Sequence, residues 1–227
     1  MVYDDNYNYC PYCGEKVYNP IICPKCGFKN NPKEVICLKC ETKLLNDSKT
    51  IFNKHNPQYY ENKGSYLIDL GTYGEAIKNY DKAIKLYPNN QEYYTNKAYC
   101  LSLLNQFEEA IRLYDKAIEL DSEYAEAYHN KGICLKELEL YEEAMKYYDK
   151  SIELNPNKAD YYYNKITCLK KLGCLEETLK YYDKIIKLNP NNPTYYYDKG
   201  KILKKINRNK EAEEWINKAM KLLLTIE

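Results

Sequence analysis

One phrase occurs four times in this chain. Asn79-Tyr80-Asp81-Lys82-Ala83-Ile84-Lys85-Leu86 returns with small changes as Leu113 to Leu120, Tyr147 to Leu154 and Tyr181 to Leu188. The tyrosine before Asp-Lys stands at 80, 114, 148 and 182, a period of 34 residues. A fixed period of that length is the signature of stacked supersecondary units, each too small to bury its apolar face alone.

Counting from Pro57 gives five units: 57–90, 91–124, 125–158, 159–192 and 193–226. In the first, Tyr60, Gly64 and Leu67 share one face of a helix, and Ala76, Tyr80 and Ala83 share a face of a second. Leu70-Gly71-Thr72-Tyr73 separates the two, and Pro88-Asn89-Asn90 ends the second. The next units repeat the pattern with Tyr94, Ala98, Leu101, Ala110, Tyr114 and Ala117, then with Tyr128, Gly132, Leu135, Ala144, Tyr148 and Ser151. The fourth offers Tyr162, Ile166, Leu169, Thr178, Tyr182 and Ile185. Alternating small and large residues suit an antiparallel helix pair, in which glycine or alanine on the first helix lets the tyrosine of the second approach.

This period, the small and aromatic places and the closing proline resemble the tetratricopeptide repeat (TPR) family over about three quarters of the chain. The resemblance implies an all-α solenoid of about five antiparallel helix pairs, with the first helices lining a concave groove. Two features depart from it. Lysine stands at 63, 97, 131, 165 and 199, where the family often has leucine, and its stem is expected to cover apolar surface while the amine reaches water. The fifth unit has Asn209 and Ile216 in place of the turn hydrophobe and the tyrosine, as fits a cap.

The groove implied by the resemblance begins with Asn62, Asn96, Asn130 and Asn164, followed by Asp198. Such a ladder resembles those with which some TPR superhelices hold an extended peptide, because each amide can donate and accept without reading sequence. Glu61, Asp69, Glu92 and Glu126 make the early units acidic, and Lys170, Lys171, Lys201, Lys204 and Lys205 make the late ones basic. An acidic portion of a partner is therefore expected at the C-terminal units. The basic clamp of the chaperone-tail-binding TPR domains is replaced here by residues such as Glu61, Asn96 and Glu126, which argues against that class of partner.

Six of the ten cysteines form three Cys-x-x-Cys pairs in the first 40 residues: Cys10/Cys13, Cys23/Cys26 and Cys37/Cys40. Two such pairs supply the four thiolates of a closed, structural zinc site. Cys23 to Leu44 resembles the short zinc ribbons, with its Cys-Pro-x-Cys-Gly, Asn-Pro and second Cys-x-x-Cys, although Glu41 stands where glycine is usual. One Zn2+ is expected either on Cys23, Cys26, Cys37 and Cys40, with Cys10/Cys13 a half-site, or on Cys10, Cys13, Cys23 and Cys26. The ribbon module would occupy residues 1–42, a polar linker 43–56 and the repeat array 57–226.

A formal charge of +1 gives no global field towards nucleic acid or membrane. No apolar run reaches membrane-spanning length, and Met1 to Cys10 lacks the basic and apolar regions of a signal peptide, so a cytoplasmic protein is expected. Cys100, Cys134 and Cys168 also lie 34 apart, and small apolar core residues suit the first helix better than a redox ladder. His55 and His129 lack a catalytic setting and read as ordinary surface residues, and no nucleophile has a plausible base, so enzymatic activity is not expected. The expected function is a protein–protein interaction scaffold. The alternative is a nucleic-acid-associated factor whose ribbon touches RNA or DNA, though residues 1–56 hold only eight lysines against six acids. Leu222-Leu223-Leu224 and Ile226 form an apolar strip expected either to dock on the last groove or to mediate weak self-association.

Overall fold

The computed structural model describes residues 57–224 in full and the backbone of six short strands before them. The strands pair antiparallel in three ladders: β1 (Asn8–Tyr9) with β2 (Lys16–Val17), β3 (Ile21–Cys23) with β4 (Phe28–Asn30), and β5 (Ile36–Cys37) with β6 (Thr42–Lys43). The side chains of all six clustered cysteines, and with them the expected zinc site, lie outside the described residues, as does most of the expected linker.

Among the described residues ten helices follow: α1 (Pro57–Asp69), α2 (Tyr73–Leu86), α3 (Gln91–Leu103), α4 (Phe107–Leu120), α5 (Ala125–Glu137), α6 (Tyr141–Leu154), α7 (Ala159–Lys171), α8 (Leu175–Leu188), α9 (Pro193–Lys205) and α10 (Asn209–Leu224). The chain divides into two compact units. The first, Met1–Asn89, contains the ladders and the pair α1–α2. The second, Asn90–Glu227, stacks α3 to α10 so that each helix packs on the next and α5 also touches α3 and α7. Within the described helices the five sequence units each form one pair.

The turn inside each pair explains the regular break. Gly71, Asn105, Glu139, Gly173 and Asn207 all adopt positive φ, between 60° and 77°. That left-handed residue lets the next backbone N–H reach back to the helix, as Thr72 N does to Leu67 O and Leu140 N to Leu135 O, closing the orphan carbonyls. Asn and Gly tolerate this conformation; Glu139 is the one residue of the five with an intrinsic penalty for it.

Tyr80, Tyr114, Tyr148 and Tyr182 are fully buried and centre the pairs. A Cβ at Gly64 would lie 2.7 Å from Tyr80, and one at Gly132 2.6 Å from Tyr148, so the absence of a side chain is what admits the ring. The fifth pair closes on Ile216 instead, against Gly200. Tyr59, Tyr93, Ala127, Tyr161 and Tyr195 are buried too, one residue ahead of the expected core tyrosines. Tyr60, Tyr94 and Tyr128 are only half-buried. Tyr128, Tyr162 and Tyr196 satisfy their hydroxyls by donating to the carbonyls of Ser122, Pro156 and Pro190, which fastens each pair to the turn before it.

Cys100, Cys134 and Cys168 are buried and free. Burial pushes their thiols up to about 12, 12 and 11, so they pack as small apolar groups and do not act as thiolates. Cys174, in the turn, is exposed.

Three of the five recurring lysines correct the expectation that their amines reach water. Lys131, Lys165 and Lys199 are 5–6% exposed, and each amine bonds to an aspartate 16 residues earlier: Asp115, Asp149 and Asp183. Each amine also lies over an aromatic ring of its own unit, at 4.2 Å from Tyr147, 4.7 Å from Tyr181 and 3.6 Å from Trp215. The Asp of Tyr-Asp-Lys thus ties the second helix of one pair to the first helix of the next.

Candidate partner-binding groove

The first helices α3, α5, α7 and α9 carry the groove side chains of the second unit. Asn96, Asn130 and Asn164 are half-buried on them, and Asp198 continues the series by accepting from the Tyr163 hydroxyl at 3.4 Å. Asn62, on α1, is half-buried and accepts from Gln58 Nε2 at 3.1 Å. The asparagines are not equivalent. Asn164 Nδ2 is engaged twice, with Asp160 O at 3.2 Å and with His129 Nε2 at 2.9 Å.

His129 is not an ordinary surface residue. It is half-buried, its ring centroid 4.4 Å from that of Tyr161 and 5.8 Å from that of Tyr148. The Asn164 amide donates, so Nε2 accepts and the ring proton sits on Nδ1. Burial lowers the ring to about 4; Asn130 and Asp160 pull it upward and Lys136 adds to the lowering. A base held down in the fold gives stability that is complete above its ordinary value near 6.5. That stability is lost as pH falls towards 4, with up to about 3 kcal/mol involved. Between pH 6.5 and 4, the wild type should therefore lose stability faster than a His129→Gln chain in urea titrations; parallel losses would show that His129 protonates freely in the fold.

Beside this histidine, between the N-terminal halves of α5 and α7, lies a hollow of about 490 Å³. Tyr124, Glu126, Asn130, Asp160 and Tyr161 line it with His129. The sequence pattern points to Asn130 and Glu126 as groove residues; it gives His129 and Asp160 no binding role and does not single out Tyr124 or Tyr161, because residues from two units meet here.

The basic residues expected in the groove are placed apart from this hollow. Lys170 is half-buried, while Lys171, Lys201, Lys204 and Lys205 are exposed, all towards the ends of α7 and α9. Lys201 covers the Tyr197 ring at 5.5 Å. The acids sit at the opposite ends: Glu92, Glu126 and Asp160 occupy the first turns of α3, α5 and α7. Helix α7 carries both signs, roughly 15 Å apart at 1.5 Å per residue. Charge therefore runs along the helix axes, acidic at the first turns of α5 and α7 and basic at their last. Both placements also favour the helix dipoles.

Among the described residues no group of histidines, cysteines and carboxylates is arranged to hold a metal, and no helix is long and apolar enough to cross a membrane.

A stack of two-helix units with a polar first-helix face defines a helical-repeat solenoid. Profiles of the tetratricopeptide repeat match residues 57–90, 79–112, 101–139, 125–158, 159–192 and 181–214. The chain belongs to the tetratricopeptide repeat family. It is similar to MamA in a crystal structure, with 25% identity and a TM-score of 0.66 over 71% of this chain and 95% of that one. YrrB, described as a TPR protein with an unusual peptide-binding site, shares the fold at 24% identity and a TM-score of 0.61, over 75% of this chain and 88% of its own. PilF of Pseudomonas aeruginosa shares it at 21% identity and a TM-score of 0.66, over 73% and 75%. Comparison with curated proteins finds no match.

Proposed function

We propose that the chain is a non-enzymatic protein–protein interaction scaffold that binds an extended segment of a partner in the groove of its first helices. The observation that carries this reading is the series of half-buried asparagines and the open hollow beside Asn130, polar groups placed on a rigid face without a catalytic partner. The peptide-binding site ascribed to YrrB, which shares the fold, is consistent with it. Lys171, Lys201 and Lys205 at the far edge would orient the partner's acidic portion. The test is a pull-down with the full chain and with Asn96→Ala/Asn130→Ala as baits from the native lysate. A groove partner should be depleted at least severalfold by the double substitution, whereas equal recovery would remove the groove from the reading.

We assign the N-terminal cysteines to a structural zinc ribbon in the cytoplasm. The three antiparallel ladders support this, because the first brackets Cys10 and Cys13 in sequence while Cys23 and Cys37 lie on β3 and β5. Six cysteines favour one four-thiolate site, on Cys23, Cys26, Cys37 and Cys40 or on the first two pairs, so the purified chain should contain one Zn2+. Chelation should unfold the ribbon and leave the helical circular-dichroism signal in place, since the repeats pack without metal. Two zinc ions per chain, or loss of most helical signal, would contradict this. Nucleic-acid contact through the ribbon is the second reading, and salt-sensitive retention of RNA or DNA in a filter assay would promote it.

Within the C-terminal strip Leu223 and Leu224 are 56% and 74% exposed, whereas Leu222 is half-buried. The exposed pair favours weak self-association through α10 over docking. Sedimentation of a Leu223→Glu/Leu224→Glu chain should then show loss of dimer without loss of thermal stability; unchanged sedimentation would leave the strip simply solvated.

A further inference from the structure

We propose that the hollow between α5 and α7 receives a basic side chain, arginine best, from an extended segment of the protein partner. The inference rests on the scaffold reading and adds the chemistry its groove selects. Asp115, Asp149 and Asp183, on the second helices, are each neutralised by a buried lysine of the following unit. Glu126 and Asp160, in the first turns of α5 and α7, are exposed and form no ion pair among the described residues; the helix dipoles favour them there but neutralise neither charge.

The surroundings suit a planar cation. Tyr124 and Tyr161 supply aromatic walls, and the Tyr124 hydroxyl donates to Glu126 Oε2 at 3.3 Å. His129 brings no competing charge, since its Nε2 accepts from Asn164 and burial keeps the ring neutral at ordinary pH. Asn130 lines the same hollow beside the ring. Lys158 is the one basic residue on the rim, against two carboxylates. Burial first, then Glu126 with Glu92 or Asp160, raises the Tyr124 and Tyr161 hydroxyls above the usual range, so both stay neutral walls. A guanidinium here gains two charge-assisted contacts and a ring face, which lysine's point charge matches less well.

The test uses the full chain, labelled with 15N, and three nine-residue Gly/Ser peptides carrying a central arginine, citrulline or glutamate. The arginine peptide should shift the amides of Glu126, His129, Asn130, Asp160 and Tyr161 and bind roughly tenfold more tightly than its neutral citrulline isostere. Glu126→Gln/Asp160→Asn should erase that preference while lowering the melting temperature only slightly, by the two lost helix-dipole contacts, because both side chains are exposed. Equal binding of arginine and citrulline overturns the cation site and leaves the scaffold reading intact, with the groove holding backbone only. Preference for glutamate, or a double variant that still favours arginine, overturns it as well. If no peptide shifts the hollow, the cation site falls, and the scaffold reading is decided separately by whether a captured partner is lost with Asn96→Ala/Asn130→Ala.

Discussion

Truncating Tyr148 to alanine should lower the free energy of unfolding by about 3–5 kcal/mol, the usual cost of deleting a buried aromatic ring. The ring is fully buried and lies in the space that Gly132 leaves, so neither neighbour can collapse into the void without moving α5 towards α6. The hydroxyl on the same ring should behave oppositely. Tyr148 Oη is buried, and no side chain or backbone group among the described residues bonds it. Tyr148→Phe should therefore be neutral or stabilise by about 1 kcal/mol, since it removes a desolvated polar group without breaking a bond. Tyr80 is the control, because its hydroxyl lies 3.0 Å from Ser65 Oγ; Tyr80→Phe should cost about 1 kcal/mol. Urea unfolding of the three variants separates the terms. A Tyr148→Phe cost equal to that of Tyr80→Phe would mean that the buried hydroxyl has a partner after all.

The repeat was legible in the sequence because a 34-residue period repeats every local decision: where a helix stops, where a small residue faces a ring, where the next unit begins. Tyr80, Tyr114, Tyr148 and Tyr182 were read correctly for that reason, and so were the buried Cys100, Cys134 and Cys168. What recurrence cannot tell is what a residue touches in the next unit. Lysines and aspartates recur together, yet their pairing spans 16 residues and two helices, a separation that no helix or strand periodicity connects. The lysine therefore looked like a snorkelling surface residue. The same blindness hid the hollow: Tyr161 and Asp160 come from one unit and His129 from another. Single, non-recurring residues such as His129 gave no periodic signal at all. The asparagines did recur, but periodicity could not show that Asn164 is engaged while Asn130 lies beside open space.

The buried lysine makes the second large effect asymmetric between its two partners. Lys165 is 6% exposed, whereas the Asp149 side chain is 58% exposed and stays hydrated. Asp149→Asn should then leave an ammonium buried with only Tyr181 beside it, at a cost of about 2–3 kcal/mol. Lys165→Met keeps the stem against its neighbours, removes the charge and leaves Asp149 in water, so it should cost less than about 1 kcal/mol. The double variant should be about as stable as Lys165→Met alone, which a double-mutant cycle would show as a coupling of about 2 kcal/mol. The pH dependence follows from the same balance. Burial pulls the Lys165 ammonium down, but its bonds to Asp149 and Tyr181 outweigh this and raise it above the ordinary lysine value. A base raised in the fold gives stability that is complete below about 10.5 and is lost only as pH climbs through the higher folded value. With Asp149→Asn the upward pull from the carboxylate disappears while burial remains, so the alkaline loss of stability should begin at lower pH than in the wild type. Hydrogen exchange should localise the weakening to α6 and α7, the two helices the pair joins. If Lys165→Met proved the more damaging change, the lysine would act through its charge and not through its buried stem, and the Asp–Lys ladder would be a net source of stability and not a device that only matches one unit to the next.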